Sequence, residues 1–209
     1  MRDRLDIICY LLVLFSVFIL PHALDLNTMQ KKASGFHSRS LHNGKYDLRK
    51  LAQVCPELCD HIIKNGKTGE ETLNFANPKS VKLLNTALLQ HFYGLEYWAI
   101  PDDSLVPAVP GRSEYLHYLY DLIECDDSKE VLGLDIGTGA SLIYPCIGFG
   151  QYGWKFVASE VNKDSIESCL CIINQNHKLQ ENIEVRQQHV PTSIFNGIVG
   201  PDEKFDFSM

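Results

Sequence analysis

The sequence lacks the short motifs that mark several common enzyme classes. It contains no Gly-x-Ser-x-Gly nucleophile elbow, no phosphate-binding loop with its lysine, and no His-Glu-x-x-His zinc motif. Its seven cysteines include no Cys-x-x-Cys pair and no Cys/His cluster at zinc spacing. We therefore expect reduced thiols and no bound metal, and we find no support for serine-hydrolase or nucleoside-triphosphatase chemistry.

The sequence also lacks an Asn-x-Ser/Thr glycosylation site, which bears on how its N-terminus is interpreted. Arg2 and Arg4 precede an apolar run from Ile7 to Leu20, which resembles a signal peptide and is too short to span a bilayer comfortably. The odd number of cysteines and the absent glycosylation site argue against secretion. We interpret residues 1–28 as an apolar leader, either a targeting peptide or an upstream extension of a protein that begins at Met29. We expect no stable membrane insertion.

Acidic residues outnumber basic ones, which gives the 209 residues a formal net charge of -7. The basic residues are nevertheless concentrated: six lie between Lys31 and Lys50 against one acid, and the rest of the chain has 13 basic and 25 acidic residues. A basic arm ahead of an acidic body suits a segment that holds phosphates while the remainder avoids them. A solvated surface stretch explains the same pattern equally well.

Hydrophobic periodicity divides the chain into a helical N-terminal part and an alternating C-terminal part. From Glu130 strands and helices alternate, which is typical of a parallel sheet. A doubly wound sheet usually has more than four strands, so we expect an α/β domain cut short after its fourth strand. The predicted C-terminal strands are 131–136, 155–161, 183–187 and 205–209, with helices at 140–148 and 163–177. The predicted N-terminal elements are a helical stretch over 47–64 broken at Pro56, a strand over 71–75, a helix opened by Asn77 and Pro78, and a helix capped by Ser113.

The turn after the first of these strands has the composition of a ligand-binding loop. Gly137 and Gly139 let the backbone approach a ligand, and the helix that follows offers free N–H groups. Leu142 stands where a dinucleotide fingerprint needs a third glycine, which disfavours hydride transfer. Asp135 at the strand end would repel phosphates and suits a cationic ligand such as S-adenosylmethionine, which carries an ammonium and a sulfonium. The motif favours methyl transfer and leaves a structural glycine turn or another nucleotide as alternatives.

Two further charged residues stand at positions that suit the same ligand. Glu160 follows Asp135 by 25 residues and ends the second strand, where a carboxylate can bind both ribose hydroxyls. An exposed strand-end acid is the alternative interpretation. Arg112 lies at the start of a helix, where a cation is unfavourable for the helix dipole, so a carboxylate ligand is one reason for its position. A plain surface arginine is the other.

Separated blocks of the sequence carry a family resemblance that extends from about Gly35 to Met209. The blocks are Val109–Leu122, Leu134–Pro145, Gly153-Trp154, Ser159-Glu160 and Ile194–Ile198. They closely resemble the bacterial large-subunit rRNA adenine-N(6) methyltransferases of the RlmF type. They are similar, less closely, to the eukaryotic methyltransferase-like protein sixteen, which modifies a spliceosomal small nuclear RNA. The resemblance implies a Rossmann-like class I S-adenosylmethionine-dependent methyltransferase with an N-terminal helical RNA-binding module, monomeric and either cytoplasmic or nuclear.

The resemblance also implies roles for individual residues. After the leader over residues 1–28, which lies outside the resemblance, it implies an RNA-binding module with its connector over 29–111 and a partial methyltransferase domain over 112–209. It implies that Arg112 contacts the cofactor carboxylate, that Gly137 and Gly139 cradle the cofactor, and that Glu160 binds its ribose. The expected cofactor-binding residues are Arg112, Asp135, Gly137, Gly139, Glu160 and, bordering the adenine, Ser193. The expected RNA-binding residues are Lys31, Lys32, His37, Arg39, His42 and Lys45.

One motif of this family is not found in the 209 residues. The family places Asn-Pro-Pro-Phe after the fourth strand, where its polar groups bind the adenine amine and its ring stacks on the flipped base. Here the segment from Lys204 to Met209 matches only the strand that precedes it. We expect an RNA adenine-N(6) methyltransferase acting on ribosomal or small nuclear RNA, present as a fragment without turnover. The alternative is a non-catalytic RNA- or cofactor-binding module.

Overall fold

Four parallel strands form the sheet that positions the candidate site, in the computed structural model that describes residues 35–123 and 130–209. The strands are β3 (Leu132–Ile136), β4 (Lys155–Glu160), β5 (Ile183–Gln187) and β6 (Phe207–Ser208), in the spatial order β5-β4-β3-β6. The predicted leader, Met29, Lys31 and Lys32 lie outside the described residues. The parallel sheet with intervening helices confirms the predicted Rossmann-like class.

Gly133 explains how β6 can pair so closely with β3. A Cβ at this position would overlap the ring of Phe207 on β6, and it would also meet the ring of Phe156 on β4. The absence of a side chain therefore lets two aromatic rings pack over the centre of the sheet. Phe207, Phe156 and the buried Trp154 form one aromatic cluster, with the Trp154 and Phe207 ring centroids 5.0 Å apart.

Helices cover the sheet and connect it to the N-terminal part of the chain. The C-terminal helices are α4 (Ile143–Tyr152), α5 (Lys163–Asn174) and the single turn α6 (His177–Gln180). The N-terminal elements are α1 (Leu48–Val54), a 3-10 helix (Pro56–His61), the antiparallel hairpin β1 (Ile62–Lys64) and β2 (Glu71–Leu73), α2 (Pro78–Tyr93) and α3 (Val109–Leu122). No helix within the described ranges is long and apolar enough to cross a membrane.

Several predicted boundaries were wrong for identifiable physical reasons. Helix α3 begins at Val109 because Pro110 fits the first helical turn, so Ser113 is an interior residue that contacts His117 instead of a cap. Helix α4 begins at Ile143 and not at 140, because Leu142 adopts a left-handed conformation that ends the preceding turn. The end of the predicted helical stretch 47–64 forms strand β1 instead.

The described part of the chain packs as one unit from Phe36 to Met209. Buried residues from α2 and α3 share a single hydrophobic core with those of α4, β4 and α5. The predicted division at residue 112 falls inside α3 and does not coincide with a break between compact units. The N-terminal elements from Phe36 onward are therefore part of the framework that supports the sheet.

Candidate functional site

A cleft of about 660 Å³ lies at the carboxyl end of β3, where parallel α/β sheets bind their ligands. Gly137 and Gly139 form its floor with φ angles of +76° and +64°, a backbone conformation that favours glycine. Arg112 and Asp135 also line the cleft, so the structure brings together four of the six predicted cofactor-binding residues.

Asp135 is the most unusual group in the cleft. Its residue is 4% exposed, and its Oδ2 has no hydrogen-bond partner among the described residues. The buried Thr138 side chain lies close enough to Asp135 to oppose the rise of its pKa, although neither the Thr138 Oγ1 nor the Asp135 Oδ2 makes a hydrogen bond of good geometry with the described residues. Burial raises the pKa of Asp135 to about 6 from its usual 3.8, because desolvation disfavours the charged form. A buried carboxylate oxygen without a donor is costly to the fold and available to a ligand.

Arg112 projects its guanidinium to the same cleft. The guanidinium carbon lies 5.6 Å from the centre of the Tyr144 ring, which is a cation–π distance. Within the described ranges, no Asp or Glu carboxylate lies within 4 Å of the Arg112 nitrogens. A guanidinium without an acidic partner can bind a carboxylate ligand through two parallel hydrogen bonds.

Glu160 and Ser193 occupy positions outside the cleft lining. The Glu160 Oε2 accepts a hydrogen bond from the Gly139 backbone N–H at 2.9 Å, and its Oε1 accepts from the N–H groups of Val161 and Asn162. The carboxylate thus ties the glycine loop to the end of β4, and its ribose role remains a prediction. Ser193 lies exposed in a turn after β5, where its carbonyl accepts from the Gln188 side chain.

Two tyrosines line the cleft that the sequence patterns did not single out. The rings of Tyr115 on α3 and Tyr144 on α4 meet edge to face with centroids 5.5 Å apart. Burial raises the pKa of Tyr115, and the neighbouring Tyr144 contributes to the rise. Tyr115 lies one helical turn after Arg112, and Tyr144 follows the glycine loop. Their spacing from these predicted site residues could have indicated that both tyrosines line the cleft.

His37 and His42 are buried, which corrects their predicted role as RNA contacts. Each is 2% exposed. The His37 Nε2 lies 2.9 Å from a carboxylate oxygen of Asp121. The two ring nitrogens of His42 lie 2.7 Å from the Tyr93 hydroxyl and 2.9 Å from the Tyr46 hydroxyl. Burial lowers the pKa of His42 to about 4, so this ring is neutral near pH 7 and is not available to a phosphate.

The predicted cations Arg39 and Lys45 reach the surface, although both have partners. Arg39 pairs with Asp121, lies 4.7 Å over the Tyr120 ring, and keeps 37% of its side chain exposed. Lys45 pairs with Glu70 at 2.7 Å and is 82% exposed. The exposed Lys45 pair is weak and opens readily for a phosphate, whereas Arg39 is held more firmly because it also donates to the Tyr152 hydroxyl and the His117 carbonyl. In the part of the chain that the structure describes, no cluster of His, Cys, Asp or Glu has the arrangement of a metal site.

A parallel sheet with a glycine loop and a buried acid at its carboxyl end defines the chain as Rossmann-like by fold. Comparison with protein families gives the particular group: the profile of an RNA methyltransferase family matches residues 30–209, and the chain belongs to that family.

Bacterial relatives named ribosomal RNA large subunit methyltransferase F are similar over most of this chain. The Enterobacter protein is 44% identical over 185 residues, which cover 87% of this chain and 60% of that protein. The Vibrio campbellii protein is 41% identical over 189 residues, covering 88% and 48%. The chain thus spans about half to three fifths of the length of these relatives.

Solved structures share the fold. The METTL16 MTase domain superposes with a TM-score of 0.76 at 33% identity, covering 84% of this chain and 69% of that one. A crystal structure of the N-terminal domain of human METTL16 in complex with SAH gives a TM-score of 0.75 at 31% identity, covering 84% and 68%. Both agree with the family resemblance inferred from the sequence blocks.

Proposed function

We propose that the chain forms the donor-binding half of an S-adenosylmethionine-dependent RNA adenine-N(6) methyltransferase. The observation that carries this proposal is the presence, in one cleft, of the unpartnered Asp135 oxygen and of Arg112 without an acidic partner among the described residues. The methionine end of the donor carries an ammonium and a carboxylate, which are complementary to these two groups. The METTL16 domain described as a complex with SAH supports the same ligand class.

The residues of the cleft fit S-adenosylmethionine in charge and in shape. A cation near Asp135 would give its Oδ2 the partner that it lacks among the described residues. The open backbone at Gly137 and Gly139 leaves space beside the loop, because a Cβ added at either position would meet no atom within 4 Å. A phosphate-rich ligand fits less well, because Asp135 would repel it.

The chain's own contribution to methyl transfer would be binding, orientation and exclusion of water. S-adenosylmethionine supplies a methyl group on a positively charged sulfur, which an amine nitrogen can attack directly. Arg112 would hold the donor's carboxylate, and Asp135 would hold a positive charge at the buried end of the cleft. Tyr115 and Tyr144 would cover the cleft beside Arg112 and limit access of water.

Structured RNA is the proposed acceptor. Two METTL16 catalytic-domain structures are described as complexes with MAT2A 3′UTR hairpins, and the bacterial relatives are named for large-subunit ribosomal RNA. The higher identity to the bacterial proteins, 44% against 33%, favours ribosomal over small nuclear RNA. We propose Arg39 and Lys45 as phosphate contacts, together with Lys31 and Lys32, and omit the buried His37 and His42.

A labelled-donor assay tests the proposal and its alternative. The 209 residues do not contain the Asn-Pro-Pro-Phe motif, so we expect the chain to bind S-adenosylmethionine and RNA without transferring methyl groups. The measurement is donor binding by calorimetry, followed by incubation with methyl-labelled donor and ribosomal RNA. Methylation above background would contradict the expected lack of turnover. RNA binding without donor binding would favour a non-catalytic RNA-binding module.

A further inference from the structure

Three successive carbonyls of the glycine loop are each held by a side-chain donor from elsewhere in the fold. The Gly139 carbonyl accepts from the Cys169 thiol with a sulfur–oxygen distance of 3.0 Å. The Ala140 carbonyl accepts from the Ser168 hydroxyl at 2.9 Å. The Ser141 carbonyl accepts from the Trp98 indole N–H, also at 2.9 Å. Two of these donors lie on α5, and Trp98 lies in the connector after α2.

The direction of these carbonyls fixes the direction of the neighbouring N–H groups. In a trans peptide unit the C=O and the following N–H point in opposite directions. The N–H groups of Ala140 and Ser141 therefore point away from Cys169 and Ser168, and both residues line the cleft, whereas the Leu142 N–H faces the Cys169 sulfur. Within the described ranges, neither the Ala140 nor the Ser141 N–H donates to a backbone or side-chain acceptor. Consecutive free N–H groups form a concave anion-binding surface.

The loop ends in a strained backbone conformation at Leu142, and the three donors also help to hold this conformation. Leu142 is fully buried and has a φ of 49°, in the left-handed region that is unfavourable for a residue with a Cβ. Such a conformation persists only where surrounding contacts hold it in place. The three donors to residues 139–141 are contacts of this kind, since each fixes one peptide unit just before Leu142.

Two of the three donors, Trp98 and Cys169, are buried. Trp98 is 2% exposed and Cys169 is fully buried, so neither exchanges its loop contact readily for water. Burial also raises the pKa of the Cys169 thiol to about 12, and the thiol keeps the proton that it donates.

We propose that Trp98, Ser168 and Cys169 are positioning residues for the methyl donor. They hold the loop carbonyls outward, and Trp98 also fixes the peptide unit before the strained Leu142, so that the N–H groups of Ala140 and Ser141 meet the donor's carboxylate from one side. This inference rests on the proposed function, since it names the ligand of the same cleft. It adds that Trp98, a residue of the N-terminal part of the chain, acts on the cofactor loop of the C-terminal part.

The test compares variants that remove one donor with variants that keep the packing. Trp98→Phe removes the indole N–H and Ser168→Ala removes the hydroxyl, and each is expected to weaken donor binding about 3- to 10-fold. Cys169→Ala is expected to weaken it only about twofold because a thiol is a weak hydrogen-bond donor, and Cys169→Ser should restore the affinity. Calorimetry with S-adenosylmethionine gives the affinities of the full chain and its variants.

Trp154→Phe is the matched control. Trp154 is also 2% exposed, but its ring packs against Tyr152 and Phe207, away from the glycine loop. This change is expected to lower the free energy of unfolding while leaving the donor affinity unchanged. Equal loss of donor affinity in Trp154→Phe and Trp98→Phe would show a general packing effect and overturn the positioning role.

Hydrogen exchange without any ligand separates this inference from the proposed function. The N–H groups of Gly137 and Thr138 donate to the Ser159 carbonyl at 2.8 Å and 3.0 Å, so their exchange reports on the loop. Exchange should be about 3- to 10-fold faster in Trp98→Phe and Ser168→Ala than in the unaltered chain or Trp154→Phe. Unchanged exchange overturns the positioning role. Failure of the unaltered chain to bind S-adenosylmethionine overturns the proposed function and the ligand named here, whatever the exchange rates.

Discussion

The cofactor cleft and the N-terminal segment over residues 36–50 differ in how they satisfy their polar groups. In the N-terminal segment Arg39, Lys45 and Arg49 form ion pairs with acids of the same chain, and His37 and His42 are hydrogen-bonded in the interior. In the cleft, Asp135 keeps a buried oxygen without a partner in the described structure. Composition pointed to both regions as binding sites, and of the two only the cleft has buried side-chain oxygens without a partner among the described residues. Three such atoms lie outside both regions, on Gln90, Glu114 and Gln151.

This difference distinguishes charged residues that stabilise the fold from charged residues that are available to bind a ligand. A buried polar group without a partner destabilises the folded chain, and where such a group lines a cleft, as Asp135 does, a ligand can supply the missing partner. A paired surface cation costs little and commits the residue to no ligand. The cleft is therefore the stronger assignment of the two.

The largest expected effect is the loss of the Asp135 charge. Asp135→Asn should weaken S-adenosylmethionine binding about 10- to 100-fold, because a hydrogen bond to a charged partner is lost. The same change removes a desolvated carboxylate, so the free energy of unfolding should stay constant or increase. Calorimetry and chemical denaturation measure the two quantities. Asp202→Ala, at an exposed acid, is the control and should change neither, and a parallel loss of binding and stability in Asp135→Asn would contradict the assignment.

The protonation of Asp135 should make donor binding depend on pH. Its pKa of about 6 means that the free cleft is mostly ionised at pH 7 and mostly protonated at pH 5. A cationic ligand prefers the ionised form, so affinity should fall about tenfold from pH 7 to pH 5. The raised pKa has the opposite effect on the unliganded fold, whose stability should fall as the pH rises from about 4 to about 6. Affinity that stays flat over this range in the unaltered chain would exclude Asp135 as the titrating contact.

The geometry of Arg112 predicts a smaller effect that depends on the shape of its head group. Arg112→Ala should weaken donor binding about 5- to 20-fold through loss of a charge-assisted contact. Arg112→Lys should recover only part of it, because an ammonium cannot form the bidentate pair. Calorimetry of both variants measures the difference, and full recovery in Arg112→Lys would argue against a bidentate contact.

In the N-terminal segment we expect substitutions of buried residues to change the stability of the fold and not the RNA affinity. His42→Ala should lower the free energy of unfolding by about 2–4 kcal/mol, because it leaves a cavity and two tyrosine hydroxyls without their partner. RNA affinity of the folded fraction should not change. Since burial lowers the pKa of His42 to about 4 from 6.5, its neutral form supports the fold above pH 6.5, and that support is lost as the pH falls toward 4. Denaturation curves at several pH values and RNA binding near neutral pH provide the check.

The smallest expected effect concerns the surface cations. Lys45→Ala should reduce RNA affinity about 2- to 5-fold and lower its salt dependence, with no change in donor binding. Lys178→Ala, at an exposed lysine of α6 outside the basic arm, is the matched control. Filter binding over a range of salt concentrations distinguishes the two. An equal loss of RNA affinity in the two variants would show that Lys45 contributes only non-specific electrostatic attraction.

The sequence allowed the sheet and the loop to be predicted because their signals are local. Strand β5 was predicted with the bounds that the structure has, and Gly137 and Gly139 lie where their spacing placed them. Helix α3 was misplaced because Pro110 was assigned to the connector, although proline suits a first helical turn. The local residue pattern alone explains both the successes and this error.

The environment of individual side chains was not predictable in the same way. The burial of His37 and His42 depends on tertiary partners such as Asp121 and Tyr93, which are distant in sequence. The contact between Trp98 and the Ser141 carbonyl spans 43 residues and has no motif. Charge and spacing can indicate which residues are candidates, whereas their partners decide which of them remain available to a ligand.

We expect the cleft to bind the methionine end of S-adenosylmethionine through Asp135 and Arg112. A calorimetric titration of the unaltered chain near pH 7 with S-adenosylmethionine and, separately, with adenosine tests this expectation. We expect one-to-one binding of S-adenosylmethionine that is at least about tenfold tighter than that of adenosine, since only the former reaches Asp135 and Arg112 with charged groups. Equal affinity for the two ligands, or no binding of either, would contradict this expectation.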